Sequence, residues 1–130
     1  MTTRKTFLLA IATIALTLPS TIAQASEWFL AAESTNETKY FIDKDSLNTN
    51  GNIVKASVLM VKAQYTDDVV GYTSITEFDC SGKRMRDLQT TIHKSDGSNT
   101  RMTETEEWKQ PRDGSVSGGL LREACNYRRI

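Results

Sequence analysis

The residues of this chain best equipped for chemistry are His93, the cysteines Cys80 and Cys125, the oxygen-rich run from Asp43 to Asn50, and the basic run Lys83-Arg84-Met85-Arg86. A lone histidine works as a general base only beside a nucleophile and an orienting group. His93 lies among Thr and Lys, and no Gly-x-Ser-x-Gly elbow, His-Glu-x-x-His or phosphate-binding Gly-x-x-x-x-Gly-Lys-Ser/Thr accompanies it. It reads as an exposed strand histidine, and the chain as a protein without catalytic residues or cofactor. Asp43, Asp45, Asn48 and Asn50 offer hard oxygen ligands, but their spacing misses the calcium loop and no bidentate Glu follows at the required offset. A turn with solvated carboxylates, and no metal, is the expectation there.

The basic run fits the loose basic-basic-x-basic pattern of segments that hold heparin-like polyanions, with Arg84 and Arg86 on one strand face. Lys83, Arg84 and Arg86 are therefore the candidate ligand contacts. Arg101, Lys109, Arg112, Arg122, Arg128 and Arg129 extend them into a patch only if the fold gathers them on one side; the competing reading is an ordinary mixed-charge surface. Trp28 and Trp108 could serve as aromatic platforms, but two tryptophans in so small a domain read first as buried core or dimer contacts.

Residues 1–25 must be set aside before the fold is considered. Arg4 and Lys5, the apolar run from Phe7 to Leu18, the breaker Pro19 and the small residues of Ala23-Gln24-Ala25 form a secretory signal peptide cleaved after Ala25. The apolar run is about 12 residues where a spanning helix needs about 20. No lipid-accepting cysteine stands near that junction, so the exported chain is expected without a lipid anchor or a transmembrane segment, in the periplasm or at the cell surface. Removing the leader lowers 16 Lys+Arg to 14 against an unchanged 16 Asp+Glu. That slight acidity argues against a nucleic-acid binder. The 130 residues, 38% hydrophobic and 25% charged, suit one small domain over residues 26–130.

Export also decides the reading of the cysteines. In an oxidising compartment an even pair is most simply a disulfide, Cys80–Cys125, rather than two free thiols or half a zinc site. Closing that loop is worth roughly 4 kcal/mol in the chain-entropy model.

The elements that must position these groups are mostly strands. Period-two alternation predicts strands from Glu27 to Ala31, Lys39 to Ile42, Ile53 to Tyr65, Tyr72 to Cys80, Arg84 to His93 and Asn99 to Thr105. One helical turn falls between Asp43 and Leu47, and an Asn50-Gly51 type I′ hairpin precedes Ile53. In the fifth strand Leu88 and Ile92 alternate against Met85, Gln89 and His93. The run from Ile53 to Tyr65 is apolar on both parities, as in a central strand covered by a helix on one face and by a loop or a partner subunit on the other. Ser115 is a candidate N-cap for a helix to about Asn126 that buries Val116, Leu120, Leu121, Ala124 and Cys125. Gly118 and Gly119 weaken it unless they let it sit close to the sheet. The class is α+β: about six antiparallel strands, with a C-terminal helix pinned to the fourth by the disulfide.

The order of Trp28, Lys39-Tyr40-Phe41-Ile42-Asp43, Asp45-Ser46, the Asn-Gly hairpin, Glu77-Phe78-Asp79-Cys80 before a basic strand, Glu107-Trp108, Gly114-Ser115 and Cys125 resembles the surface-adhesin protein E family across the whole exported domain. The resemblance implies the same disulfide-tied sheet and helix. It also implies a secreted, non-catalytic binding module of a Gram-negative envelope, with host laminin, vitronectin, plasminogen or heparin-like acidic glycans as partners, and a homodimer. The family's namesake is lipid-anchored, unlike this sequence, and its binding segment is not matched closely enough to transfer. The alternative is a periplasmic envelope-maintenance or enzyme-inhibitor protein of the same fold.

Overall fold

The computed structural model describes residues 27–127 apart from residue 67. Residues 1–25, expected as a leader, and Arg128-Arg129 lie outside the described residues. Seven strands form one antiparallel sheet: β1 (Trp28–Glu33), β2 (Lys39–Asp43), β3 (Asn48–Asn50), β4 (Ile53–Thr66), β5 (Val69–Asp79), β6 (Arg84–Lys94) and β7 (Asn99–Met102), followed by the helix α1 (Val116–Asn126). Spatial order is β1-β2-β4-β5-β6-β7, with β3 pairing the first residues of β4 in line with β2. The seventh strand, beyond the six expected, is β3. Asn48 to Asn50, which reads as turn by composition, pairs with Lys55, Val54 and Ile53.

That pairing moves the hairpin by one residue. Asn50 pairs with Ile53, so Gly51 and Asn52 are the two loop residues, and of the two only Gly51 has positive φ, +63°. One left-handed residue at the first loop position is the type II′ arrangement, not the type I′ expected, and glycine takes it without a Cβ clash. The helical turn before it is a 3-10 turn, Lys44–Ser46, capped by the Asp43 carboxylate, which accepts the Asp45 N–H at 3.0 Å. Ser46 ties it to the sheet: its hydroxyl accepts the Ser57 N–H at 2.8 Å and donates to the Asp43 carbonyl at 2.8 Å. The carboxylate of Asp43, expected in solvent, is thus a buried cap.

Two bulges decide which side chains meet. A register shift between Leu30 and Ala32 in β1 lets both Ala31 and Ala32 pack against the main core. A second lies in β6, where Gln89 pairs with Ile75 but Asp87 pairs with Thr76, leaving Leu88 extra. Met85 and Asp87 therefore share a face with Thr90 and Ile92, and Gln89 and His93 take the other. The expected grouping of Met85 with Gln89 and His93 is overturned, because one inserted residue reverses a period of two. His93 is not exposed: it is 3% accessible, with Nε2 2.8 Å from Thr73 Oγ1 and Nδ1 without a partner among the described residues. Burial lowers its pKa, favouring the neutral ring.

The main core lies between the sheet and α1. Ile42, Val54, Ala56, Val58, Phe78, Leu120 and Ala124 form its buried centre. The two-faced pattern of β4 is real, since Leu59 joins Phe41 and Val70 in a second, smaller cluster against which Trp28 and Val61 pack. α1 starts where expected, the Ser115 hydroxyl accepting the Gly118 N–H at 3.1 Å. Its two glycines differ. A Cβ on Gly118 would stand 2.7 Å from the Arg112 carbonyl oxygen, whereas one on Gly119 would make ordinary contact with the Ala32 Cβ at 3.6 Å. Cys80, one residue past β5, joins Cys125 of α1 with Cα atoms 5.8 Å apart, so the helix is tied to the sheet as read from the sequence.

β7 ends at Met102, short of Thr105, because the β6 bulge interrupts the ladder beyond Thr90. The chain then follows β6 as a strap: the Glu106 N–H donates to the Asp87 carbonyl at 2.9 Å, and Met85 and Lys109 exchange backbone hydrogen bonds of 2.8 Å.

Candidate functional site

The β5–β6 turn presents the basic run. Asp79 closes β5, and its Oδ1 accepts the Gly82 N–H at 3.0 Å while Oδ2 accepts the Arg84 Nε–H at 2.8 Å. These two interactions, the backbone one first, hold the Asp79 carboxyl below the usual carboxylate range. Lys83 completes the turn with φ +54° and is exposed. Two residues into β6 the pattern repeats, Arg86 Nε donating to Glu77 Oε1 at 2.9 Å. Both pairs are cross-strand neighbours, Asp79 opposite Arg84 and Glu77 opposite Arg86.

The strap places Trp108 on the same two arginines. The Arg84 and Arg86 guanidinium carbons lie 4.7 and 4.3 Å from its ring centroid. Neither tryptophan is fully buried: Trp28 borders the second cluster and Trp108 is half-buried under the guanidinium groups. Arg84 and Arg86 do share a strand face, but each carries a carboxylate partner and a ring, so their charges are largely matched where they stand.

Three further cations lie at the adjoining end of the molecule. Lys83 from the turn, Arg112 from the strap and Arg122 from α1 line a concavity of about 760 Å³ walled by the Cys80–Cys125 disulfide, Pro111 and Leu121. None of the three forms an ion pair among the described residues, and Asp113 is the one carboxylate in the lining. The arrangement gives an anion three donors from three elements beside an apolar wall. Of the proposed extension, the structure delivers Arg112 and Arg122. Lys109 pairs with Glu106 at 3.5 Å, and Arg101 sits on the edge strand β7.

Sequence reasoning missed the opposite feature. On the helix side of the sheet Asp87 is half-buried, accepting the Thr76 hydroxyl at 2.7 Å, and desolvation raises its pKa. Read in sequence it is only the acid ending a basic run; the Leu88 bulge turns it inward. Among the described residues no three His, Cys, Asp or Glu side chains gather in a way that could hold a metal ion. No described helix is long and apolar enough to cross a membrane.

In comparison with known proteins, the family model for surface-adhesin protein E aligns with residues 28–126, from the first residue of β1 to the last of α1. No individual curated protein matches the chain.

Proposed function

The chain belongs to the surface-adhesin protein E family, and from that membership we propose that it is an exported, non-catalytic binding module whose ligand is acidic. Residues 1–25 act as its cleaved leader, and residues 26–130 form the single domain that binds. The convergence of Lys83, Arg112 and Arg122 on one concavity is the observation that carries this reading. Arg84, with a side chain 47% exposed, adds the guanidinium N–H groups that Asp79 does not use, and Arg86 stands beside it. The ligand classes that family kinship suggests are heparin-like glycans and the host matrix proteins laminin, vitronectin and plasminogen. Sulfates or clustered carboxylates would be held through charge-assisted hydrogen bonds, with affinity falling as salt rises.

The test is heparin and laminin binding by the purified exported protein at low and physiological salt, together with protease accessibility on intact cells. Salt-sensitive binding that falls at least tenfold in a Lys83→Glu/Arg122→Glu variant of unchanged unfolding midpoint is the expected result. Binding unaffected by that charge reversal overturns the site. Protection on intact cells with no binding overturns the adhesin reading in favour of a periplasmic envelope protein. Sedimentation of the same sample decides whether it works as a homodimer.

A further inference from the structure

The helix covers only part of the face it packs on. α1 has 11 residues, whereas β4 has 14 and β5 and β6 have 11 each. A helix rises about 1.5 Å per residue and a strand about 3.3 Å, so the sheet extends well beyond the helix. The row Val54–Phe78–Met85 belongs to the core beneath α1. Two further rows, Val58–Ser74–Thr90–Met102 and Tyr40–Met60–Tyr72–Ile92, cross four strands each, with Val58 and Tyr40 still packing in the core beneath α1. Except for Ile92, these residues line an open groove of about 330 Å³ bounded by Ser117 and Leu120 of α1.

Two properties of this groove specify an occupant. All the methionines of the chain beyond Met1 line it, namely Met60, Met85 and Met102, the last 49% exposed. Methionine-rich apolar surfaces adapt to side chains of varied shape, which suits them to partner segments rather than to one rigid small molecule. The only charged residues in the lining are carboxylates, Asp87 and Glu106, with no cation among them. Thr76 occupies Oδ1 of Asp87, and Oδ2 takes no hydrogen bond from the described residues. Glu106 pairs with Lys109 at 3.5 Å, and the Lys109 charge also acts on Asp87 from outside the lining.

We propose that this groove is a docking site for a basic amphipathic segment of a partner protein, whose apolar side chains lie on Met60, Tyr72 and Met102 and whose Lys or Arg pairs with Asp87 and Glu106. The ligand chemistry is opposite in sign to that of the concavity beside the disulfide, and the two linings share no residue although α1 borders both. The module therefore holds an acidic ligand at one end and a basic segment across its helix-side face.

The methionines supply the readout. The protein is labelled with carbon-13 at its methionine methyl groups and titrated with an amphipathic peptide of alternating Leu and Lys, about a dozen residues long. A matched Leu/Glu peptide serves as control. The expected result is a saturable shift of the Met60, Met85 and Met102 methyl signals with the Leu/Lys peptide and none with the control. Binding should weaken at least fivefold in an Asp87→Asn/Glu106→Gln variant, in which the introduced amide oxygen still accepts the Thr76 hydroxyl and the unfolding midpoint is retained. Equal shifts from both peptides, no shift at millimolar Leu/Lys peptide, or full binding by the double variant would each overturn the proposal. If that variant fails to fold, Met102→Lys on the exposed edge strand gives the same decision: retained affinity refutes the docking site, and loss supports it.

Discussion

Met85 and Lys109 donate their N–H groups to each other's carbonyls at 2.8 Å, although Lys109 belongs to no strand. That double hydrogen bond fixes the strap in register beside the start of β6 and so delivers Trp108, its neighbour, onto Arg84 and Arg86. A backbone bridge at Lys109 and the contact of the Trp108 ring with two guanidinium groups make the strap part of the fold.

Replacing Trp108 with Ala should therefore cost about 2 kcal/mol, less than a fully buried tryptophan because the ring is half-buried and its cation contacts are worth about 0.5–1 kcal/mol each. Trp108→Phe should recover more than half of that loss. Urea unfolding midpoints of the two variants measure it; an unchanged midpoint in the Ala variant would mean that the Met85–Lys109 bridge holds the strap alone.

The disulfide makes a sharper claim. Reduction, or the pair Cys80→Ala/Cys125→Ala, should lower stability by about 4 kcal/mol, since the closed loop is long. Thermal unfolding with and without reductant separates the causes: the native protein should lose stability with reductant, and the double variant should be insensitive to it.

Acid should act through His93. Its pKa in the fold lies below the ordinary 6.5 because burial disfavours the imidazolium. The unfolded chain then takes up a proton near pH 6.5 that the folded chain refuses, so stability is full above that pH and falls as pH drops towards the folded pKa. Thermal midpoints from about pH 7.5 to about pH 5.5, a window spanning the ordinary histidine range, should decline in the native protein and decline less in His93→Gln. Parallel curves for the two would show that other groups carry the dependence.

The adjacent glycines of α1 should respond oppositely to alanine. Gly118→Ala forces a Cβ to 2.7 Å from the Arg112 carbonyl, a backbone atom that the Ser115 cap also engages, and should cost about 1–3 kcal/mol, the range for overpacking. Gly119→Ala meets the Ala32 methyl at 3.6 Å and the Arg122 guanidinium at 3.9 Å, both ordinary contacts, and should gain up to about 1 kcal/mol from helix propensity. Chemical denaturation of both variants provides the comparison, and a Gly118→Ala variant as stable as the native chain would show that the cap has room to move.

Local signals were legible in the sequence where they are self-contained. Ser115 caps the helix because hydroxyl and amide are three residues apart, and an even pair of cysteines without zinc-type spacing is most simply a disulfide. The number and order of strands beyond β3, and the helix over the sheet, follow from patterning of the same kind. What could not be read depends on register. The Leu88 bulge has no composition of its own, yet it turns Asp87 into the groove and His93 into a buried site. Likewise Arg84 and Arg86 look like free cations until Asp79 and Glu77 are known to lie directly across the ladder. Arg112 and Arg122 are candidates by charge alone, and only tertiary contact joins them to Lys83.

The last element of the described residues closes over the first. Gly119 rests against Ala32, and the Tyr127 ring lies 4.4 Å from that of Phe29. Strands β4, β5 and β6 are consecutive and can zip from their hairpins, but the apolar side of β1 has no cover until α1 is made. A chain synthesised N-terminus first must therefore carry an unfinished core until α1 is complete, and oxidation of Cys125 can only be a late event. Such long-range closure slows folding. Truncation within the last dozen residues would remove more than a tail, because it would uncover the beginning of the fold.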